Sequence, residues 1–411
     1  MTFEHFADRL EFAAMTHFVR DLEESGRSPV FRVAESATSG RVRVAGSDRI
    51  MLGSNNYLGL ADHPEVRAAA HAAIDRFGVA STGSRVANGT IELHLELEAE
   101  IAAWHGAPAA LVFTTGYQAN VGTVSALARH GDTVVLDWAA HASLQDGAAL
   151  SGAAVRRFPH NDVTALREIL SGTDTPTMVV VDGLYSMEGD LAPLHEIAAL
   201  CAEFEALLMV DEAHSTGILG PDRTGAVSLY GVGDGVDVRM GTLSKGIGSI
   251  GGYVAGSRDL IDHLRTHARA YQFTTSGNPA ATAAALAAVR IVRSDEGAVR
   301  AERVLDNAAR LRHLLTAADI PMLPSSVLPS GERCPGPIVP VEVGDEAVLL
   351  ELWNDLFDSG VHCGISVFPG VRVGSPLLRV CVTADHSPDD METVGAAIAR
   401  AHHRTHTPVT V

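Results

Sequence analysis

Between residues 110 and 255, short runs of β-branched residues alternate with stretches of helical length. Residues 110–114, 133–137, 155–158, 178–182, 207–211, 236–240 and 253–255 read as strands. Residues 118–129, 163–170 and 194–204 read as helices between them. The run Met178-Val-Val-Val-Asp182 has no polar residue before its last position, which suits a strand covered on both faces. Strands that alternate with helices can form few architectures. The pattern predicts an α/β fold with a mostly parallel central sheet and helices on both faces.

The flanks read differently. Residues 4–24 form an amphipathic helical pattern, followed by a short hairpin-like stretch. A long helical region from about Ala280 leads to a loop between Pro321 and Pro340 that holds six prolines, read as a surface connection. A strand at 338–342, a helix to Phe357, strands near Val361 and Leu377 and a final helix make a smaller α+β unit. The expected organisation is an N-terminal helix with short strands (1–52), a large α/β domain (53–285) and a C-terminal α+β domain (286–411).

Composition narrows the function classes. The 411 residues are 46% hydrophobic and 20% charged, enough for a sizeable core. No apolar run approaches the ~20 residues of a spanning helix. The formal charge of −19 argues against general nucleic-acid binding, which relies on basic patches. The N-terminus lacks the basic and apolar regions of a signal peptide. Cys201, Cys334, Cys363 and Cys381 form no C-x-x-C, which reads as a reducing, cytoplasmic setting with neither disulfides nor a zinc site. The 19 histidines show no metal-ligand spacing, and His402-His403 reads as a solvated helix end. The run Gly246-Ile-Gly-Ser-Ile-Gly251 fits a dinucleotide fingerprint by spacing. A strand-like segment follows it where that fingerprint needs a helix, so a nicotinamide cofactor is rejected.

One count is more pointed. Of 31 basic residues, 30 are arginine, and the only lysine is Lys245. Arginine can replace lysine for charge, but not for an amine that must lose its proton and attack a carbonyl. Lys245 is therefore a candidate Schiff-base lysine. In an open α/β sheet, ligands bind beyond the carboxyl ends of the strands. Polar groups follow several of those ends: Thr115-Gly-Tyr117, His141, Asp182, Asp211-Glu-Ala-His214 and Thr242-Leu-Ser-Lys245. A carboxylate closing an apolar strand, as Asp211 does, needs a partner. It could cap the next turn, or it could hold a protonated ring nitrogen, as pyridoxal phosphate requires. His214 could then donate to the ring hydroxyl, and His141 could stack on the ring. Gly116 and Tyr117 open a helix whose N–H groups would bind a phosphate, to which Thr242 and Ser244 could add hydroxyls.

These motifs resemble the α-oxoamine synthases, pyridoxal-phosphate enzymes of fold type I. The resemblance runs from Ser54-Asn-Asn-Tyr-Leu-Gly59 to Leu377-Leu-Arg-Val380. It includes Ser81-Thr-Gly-Ser-Arg85, Asn88-Gly-Thr90, His141-Ala-Ser143, Tyr185-Ser-Met-Glu-Gly-Asp190, Val210-Asp-Glu-Ala-His-Ser-Thr-Gly217 and Thr242-Leu-Ser-Lys245. Residues 81–90 and Gly116-Tyr-Gln-Ala-Asn120 look most like the bacterial serine palmitoyltransferase branch.

The resemblance implies roles by position. Lys245 matches the Schiff-base lysine, Asp211 the ring-nitrogen partner, and His141 the stacked histidine. His214 and Ser186 match contacts near the ring hydroxyl. Gly116, Tyr117, Thr242 and Ser244 match cofactor contacts. Thr274 and Thr275 match hydroxyls that reach a neighbouring subunit's phosphate, which implies a homodimer with shared sites. Arg379, with Asn55 nearby, matches the holder of the amino-acid carboxylate. Ser84 matches a position where a threonine in some family members crowds the substrate's Cα substituent, and serine leaves one methyl's space there.

The implied activity is decarboxylative condensation of an amino acid, serine or alanine before glycine, with an acyl thioester of coenzyme A or a carrier protein. Val367-Phe-Pro-Gly-Val-Arg372 and Ser276-Gly-Asn-Pro279 depart from the family pattern on the substrate side and leave the acyl donor open. The alternatives are an aminotransferase or C–S lyase of the same fold, without a thioester, and a non-catalytic cofactor-binding regulator.

Overall fold

The computed structural model describes residues 13–334, 336–368 and 370–406. Of the expected N-terminal helix, Ala13–Glu24 is helical, and residues 4–12 lie outside the described residues, as does Pro369 in the divergent 367–372 segment.

Among the described residues fourteen strands follow in chain order: β1 (Arg41–Val44), β2 (Ser47–Leu52), β3 (Ala109–Phe113), β4 (Thr133–Asp137), β5 (Ala154–Phe158), β6 (Thr177–Asp182), β7 (Leu207–Asp211), β8 (Val238–Thr242), β9 (Gly252–Gly256), β10 (Ser326–Val327), β11 (Arg333–Cys334), β12 (Ile338–Glu342), β13 (Val361–Ser366) and β14 (Leu377–Cys381). Seven form the central sheet in the order β3-β9-β8-β7-β6-β4-β5. The β8–β7–β6–β4–β5 pairings are parallel, and only β9 runs against its neighbours. The α/β reading with a mostly parallel sheet is therefore correct. The glycine run at 246–251 leads into β9, a strand, as its rejection as a dinucleotide loop requires.

The apolar runs explain why this sheet is central. Along β6, Val179 and Val181 point into one core while Met178 and Val180 point into the other. The same alternation recurs on β7, where Leu208 and Val210 face the first core and Met209 the second. A strand with no polar side can be stable only between two helical layers. Burial at ~25 cal/mol per Å² of apolar surface drives that sandwiching.

A second sheet, β1-β2-β13-β14-β12, joins the hairpin near the N-terminus to the C-terminal segment, with β2 parallel to β13. It carries Arg379 on β14, opposite Pro340 of β12 and Gly364 of β13. Among the described residues no helix is long and apolar enough to cross a membrane. All four cysteines are free and buried.

Candidate active site

The carboxyl ends of the parallel strands open onto a cavity of about 290 Å³. Its lining brings together eight of the expected cofactor residues: Gly116, Tyr117, His141, Asp211, His214, Thr242, Ser244 and Lys245. They come from separate chain segments that meet only because the strands run the same way.

Lys245 follows β8 and is half-buried in the cavity wall. Burial lowers its amine from 10.5 to about 8; the charges of Asp211 and Asp182 oppose that shift, and Arg379 adds to it. A half-buried amine with its pKa lowered toward neutrality is poised to act as a base or nucleophile. Asp211 ends β7, directly opposite Asp182 at the end of β6. Its Oδ2 accepts from Asn120 Nδ2 at 2.6 Å and its Oδ1 from the Ala213 N–H at 2.8 Å. Asp182 accepts the His141 backbone N–H at 3.2 Å, and burial followed by the neighbouring Asp211 charge raises its carboxyl well above the ordinary value.

Asn120 spends its second amide hydrogen on Ser143 Oγ, at 2.9 Å. The Ser143 hydroxyl, having accepted there, donates to His141 Nδ1 at 2.7 Å. The Ser143 N–H also points at Nδ1. With Nδ1 an acceptor and the imidazole lowered by burial, His141 is neutral and carries its proton on Nε2. His214 is also pushed well below its usual range, by burial and then by Lys245, Arg379 and His141. Its Nδ1 lies 2.7 Å from the Tyr57 hydroxyl.

Thr115 caps the helix Gly116–Leu127 by accepting the Gln118 N–H, and Gly116 and Tyr117 sit at its first turn. Gly116 is needed there: a Cβ would come within 2.8 Å of Thr242 Oγ1. The Tyr117 hydroxyl donates to Asp146.

The remaining expected residues lie outside the cavity lining. Ser186 offers its carbonyl, not its hydroxyl, to Arg379 Nε at 2.6 Å. Arg379 Nη1 and Nη2 both reach Asn55 Oδ1 at 3.2 Å. Thr274 accepts from Gln118 Nε2 at 3.3 Å, and the Thr275 carbonyl accepts from Thr114. Ser84 sits in the 81–90 loop, whose Gly83 carbonyl accepts the Ser276 N–H. Asn120, Ser143, Asp182 and Tyr57 are not among the cofactor and substrate contacts that the sequence points to. Asp182 bears the same signal as Asp211, a carboxylate closing an apolar strand; Asn120 lies inside a helix and carries no chemical signal beyond its place in the 116–120 motif.

A model of the aminotransferase class I and II family matches residues 47–398. The 8-amino-7-oxononanoate synthase of Geotalea daltonii is 43% identical over 391 residues, covering 94% of this chain and 97% of its own. The serine palmitoyltransferase of Caulobacter vibrioides is 40% identical over 91% of each chain. This chain belongs to the aminotransferase class I and II family, among its α-oxoamine synthases.

Solved relatives share the fold of this synthase. Sphingomonas wittichii serine palmitoyltransferase superposes with a TM-score of 0.90 at 33% identity, covering 96% of this chain and 98% of that one. A serine palmitoyltransferase from S. paucimobilis, solved with a PLP–myriocin aldimine bound, gives 0.91 at 33% identity and the same coverage. The enzyme is a pyridoxal-phosphate-dependent acyltransferase. The cavity fits that cofactor: it has one half-buried amine, a carboxylate beside it, and a glycine-opened helix N-terminus. The Asn120 Oδ1, buried without a partner, adds an acceptor in the same lining.

Proposed function

We propose that this synthase condenses L-serine or L-alanine, serine ahead and both before glycine, with an acyl thioester of coenzyme A or a carrier protein, releasing CO2 and giving an α-amino ketone. The observation that carries amino-acid recognition is Arg379. Its guanidinium is half-buried, and its two terminal nitrogens share one neutral acceptor, Asn55 Oδ1. A half-buried fork with only neutral partners among the described residues is suited to the two oxygens of an incoming carboxylate.

Lys245 would hold pyridoxal phosphate, with Asp211 at the ring nitrogen, His141 on the ring face and His214 near the ring hydroxyl. Gly116, Tyr117, Thr242 and Ser244 would hold its phosphate. When bound, the cofactor supplies a sink for the electron pair left at the amino acid's Cα. Lys245 Nζ, at a lowered pKa of about 8, can take and return the Cα proton near neutral pH. His141 Nε2–H, fixed as a donor through Ser143, is suited to polarise the thioester carbonyl. Arg379 fixes the substrate carboxylate and so the orientation of the bonds at Cα.

The homodimer with shared sites is part of the same reading. Ser84, Thr274 and Thr275 do not line their own chain's cavity, and exposed apolar side chains stand beside them: Val79 at 76%, Val86 at 61% and Phe273 at 73%. Apolar patches of this kind suit a partner subunit. The setting we infer is cytoplasmic.

The test is thiol release from acyl-coenzyme A by the cofactor-loaded enzyme with serine, alanine or glycine. Release that needs the amino acid, ranked serine, alanine, glycine, is expected. Keto-acid formation without a thioester would instead support the aminotransferase or lyase alternative.

A further inference from the structure

Beside the cavity lies a second polar cluster. His160, just after β5, has Nδ1 3.1 Å from Asp137 Oδ1 and Nε2 3.1 Å from Asp190 Oδ2. Both ring nitrogens face carboxylates, so both donate and the ring is cationic. Burial opposes that charge, but the bonds to Asp137 and Asp190 outweigh it and raise the imidazole to about 10. The Tyr185 ring meets His160 edge-on at 4.4 Å. Asn161 reinforces the link: its N–H goes to Asp137 Oδ2 at 2.8 Å, and its Nδ2 goes to Asp190 Oδ2 and the Leu191 carbonyl, each at 3.1 Å.

The two ends of this clamp lead to different parts of the site. Asp137 starts the turn toward His141, accepting the Ala139 N–H at 2.7 Å. Asp190 closes the loop 184–191, whose ends pair through Leu184 and Leu191 and whose Tyr185 N–H meets the Asp190 carbonyl at 2.9 Å. The far side of that loop leans on the five-stranded sheet. The Ser186 carbonyl holds Arg379, and Ser366 Oγ donates to Met187 Sδ at 3.0 Å. At Gly189, with φ of +68°, a Cβ would stand 3.0 Å from the Ile338 carbonyl oxygen. The Leu191 N–H donates to Ser326 Oγ at 2.7 Å.

We propose that His160 is a positioning residue for amino-acid binding: the Asp137–His160–Asp190 clamp fixes the loop from which the Ser186 carbonyl aims Arg379. The proposal rests on the reading of Arg379 as the carboxylate holder. A charge cluster that served stability alone could sit anywhere on the central sheet. This one grips the segment that joins that sheet to the arginine of the other sheet. Replacing the cation leaves Asp137 and Asp190 facing each other without a counter-charge, so the loop must shift.

The test uses the cofactor-loaded enzyme and four variants: His160→Gln, Asp190→Asn, the double variant His160→Gln/Asp190→Asn, and Arg379→Lys. Dissociation constants for L-serine and for 2-aminoethanol, which lacks the carboxylate, are read from the absorbance of the bound cofactor. KM and kcat follow from thiol release. His160→Gln is expected to raise the serine dissociation constant and KM about tenfold, an effect of one displaced charged hydrogen bond. The 2-aminoethanol constant, the thioester KM and kcat should stay within about twofold. The double variant, with no unopposed carboxylate pair, should recover most of the loss. If His160→Gln does not fold, Asp190→Asn, which keeps the His160–Asp137 bond, should show the same selective loss on a smaller scale. Variants that lose nothing, or lose all constants together, overturn the proposal if Arg379→Lys still weakens serine alone. If Arg379→Lys spares serine relative to 2-aminoethanol, it is the carboxylate reading that fails.

Discussion

Asn120 donates to Asp211 Oδ2 at 2.6 Å from the first turns of the helix that opens the cavity. The same amide group reaches Ser143, and Ser143 reaches His141, so one side chain ties the aspartate to the imidazole. Both groups are thereby oriented before any ligand arrives.

Asn120→Ala therefore removes two bonds at once. Asp211, buried at 3% exposure, loses a donor, and the Ser143 hydroxyl is released to rotate. A lost hydrogen bond to a buried charged group costs about 1.5–3 kcal/mol. Denaturant unfolding of the cofactor-free protein should show a loss in that range. Unchanged stability would mean that Asp211 finds another partner.

Asp211→Asn should keep cofactor binding and lose rate, because an amide does not keep a ring nitrogen protonated. One charge-assisted contact at a reacting centre is worth about 3 kcal/mol, or about a hundredfold. Cofactor occupancy by absorbance and thiol release with saturating serine separate the two effects. A variant at the parent rate would contradict the assigned role.

Lys245 makes a pH prediction. In the unfolded chain its amine holds a proton up to its ordinary 10.5, but in the fold only to about 8. Between those values the unfolded chain binds more protons, so this group makes folding more favourable as pH rises from 8 to 10.5. Below pH 8 the cost is fully present, at most about 3 kcal/mol and less where cavity water solvates the amine. The cofactor-free Lys245→Met variant should thus melt higher than the parent at pH 7, with the gap narrowing toward pH 10. A gap that does not change with pH would show that the amine titrates as in water. Borohydride treatment of the loaded parent should fix the cofactor on the peptide holding Lys245 and nowhere else.

Much of this arrangement is legible because parallel strands and apolar runs leave their marks in order along the chain. Met178–Val181 and Leu207–Val210 could only be buried strands, so the charged residues at their ends had to meet at one edge of the sheet. The sole lysine, Lys245, stands out by what the rest of the composition lacks. What is not legible depends on side-chain direction. Asn120 looks like any polar residue in a helix until the helix is laid against β7. The resemblance points to Ser186 as a contact near the cofactor's ring hydroxyl, yet in the structure its backbone oxygen holds Arg379, and a carbonyl is present in every residue. His160 has no motif of its own; its two carboxylates lie 23 and 30 positions away.

We propose that Ser84 sets the choice of amino acid. It lies in a tight loop, where Gly83 leaves no room for a Cβ beside Asn88 and the Ala87 and Gly89 N–H groups both return to the Ser84 carbonyl. The backbone there is pinned, so a larger side chain at 84 cannot be relieved by moving the loop. A threonine adds one methyl group, which should narrow the space for a substituent on the substrate's Cα. One methyl discriminates by about 1–3 kcal/mol in a packed pocket, a factor of about 10–200. Ser84→Thr should therefore lower kcat/KM for serine and alanine by a factor in that range while leaving glycine nearly unchanged. Thiol-release kinetics with the three amino acids measure it directly. A parent enzyme that already prefers glycine strongly, or a variant that loses all three equally, would remove Ser84 from the substrate pocket and with it the case for serine.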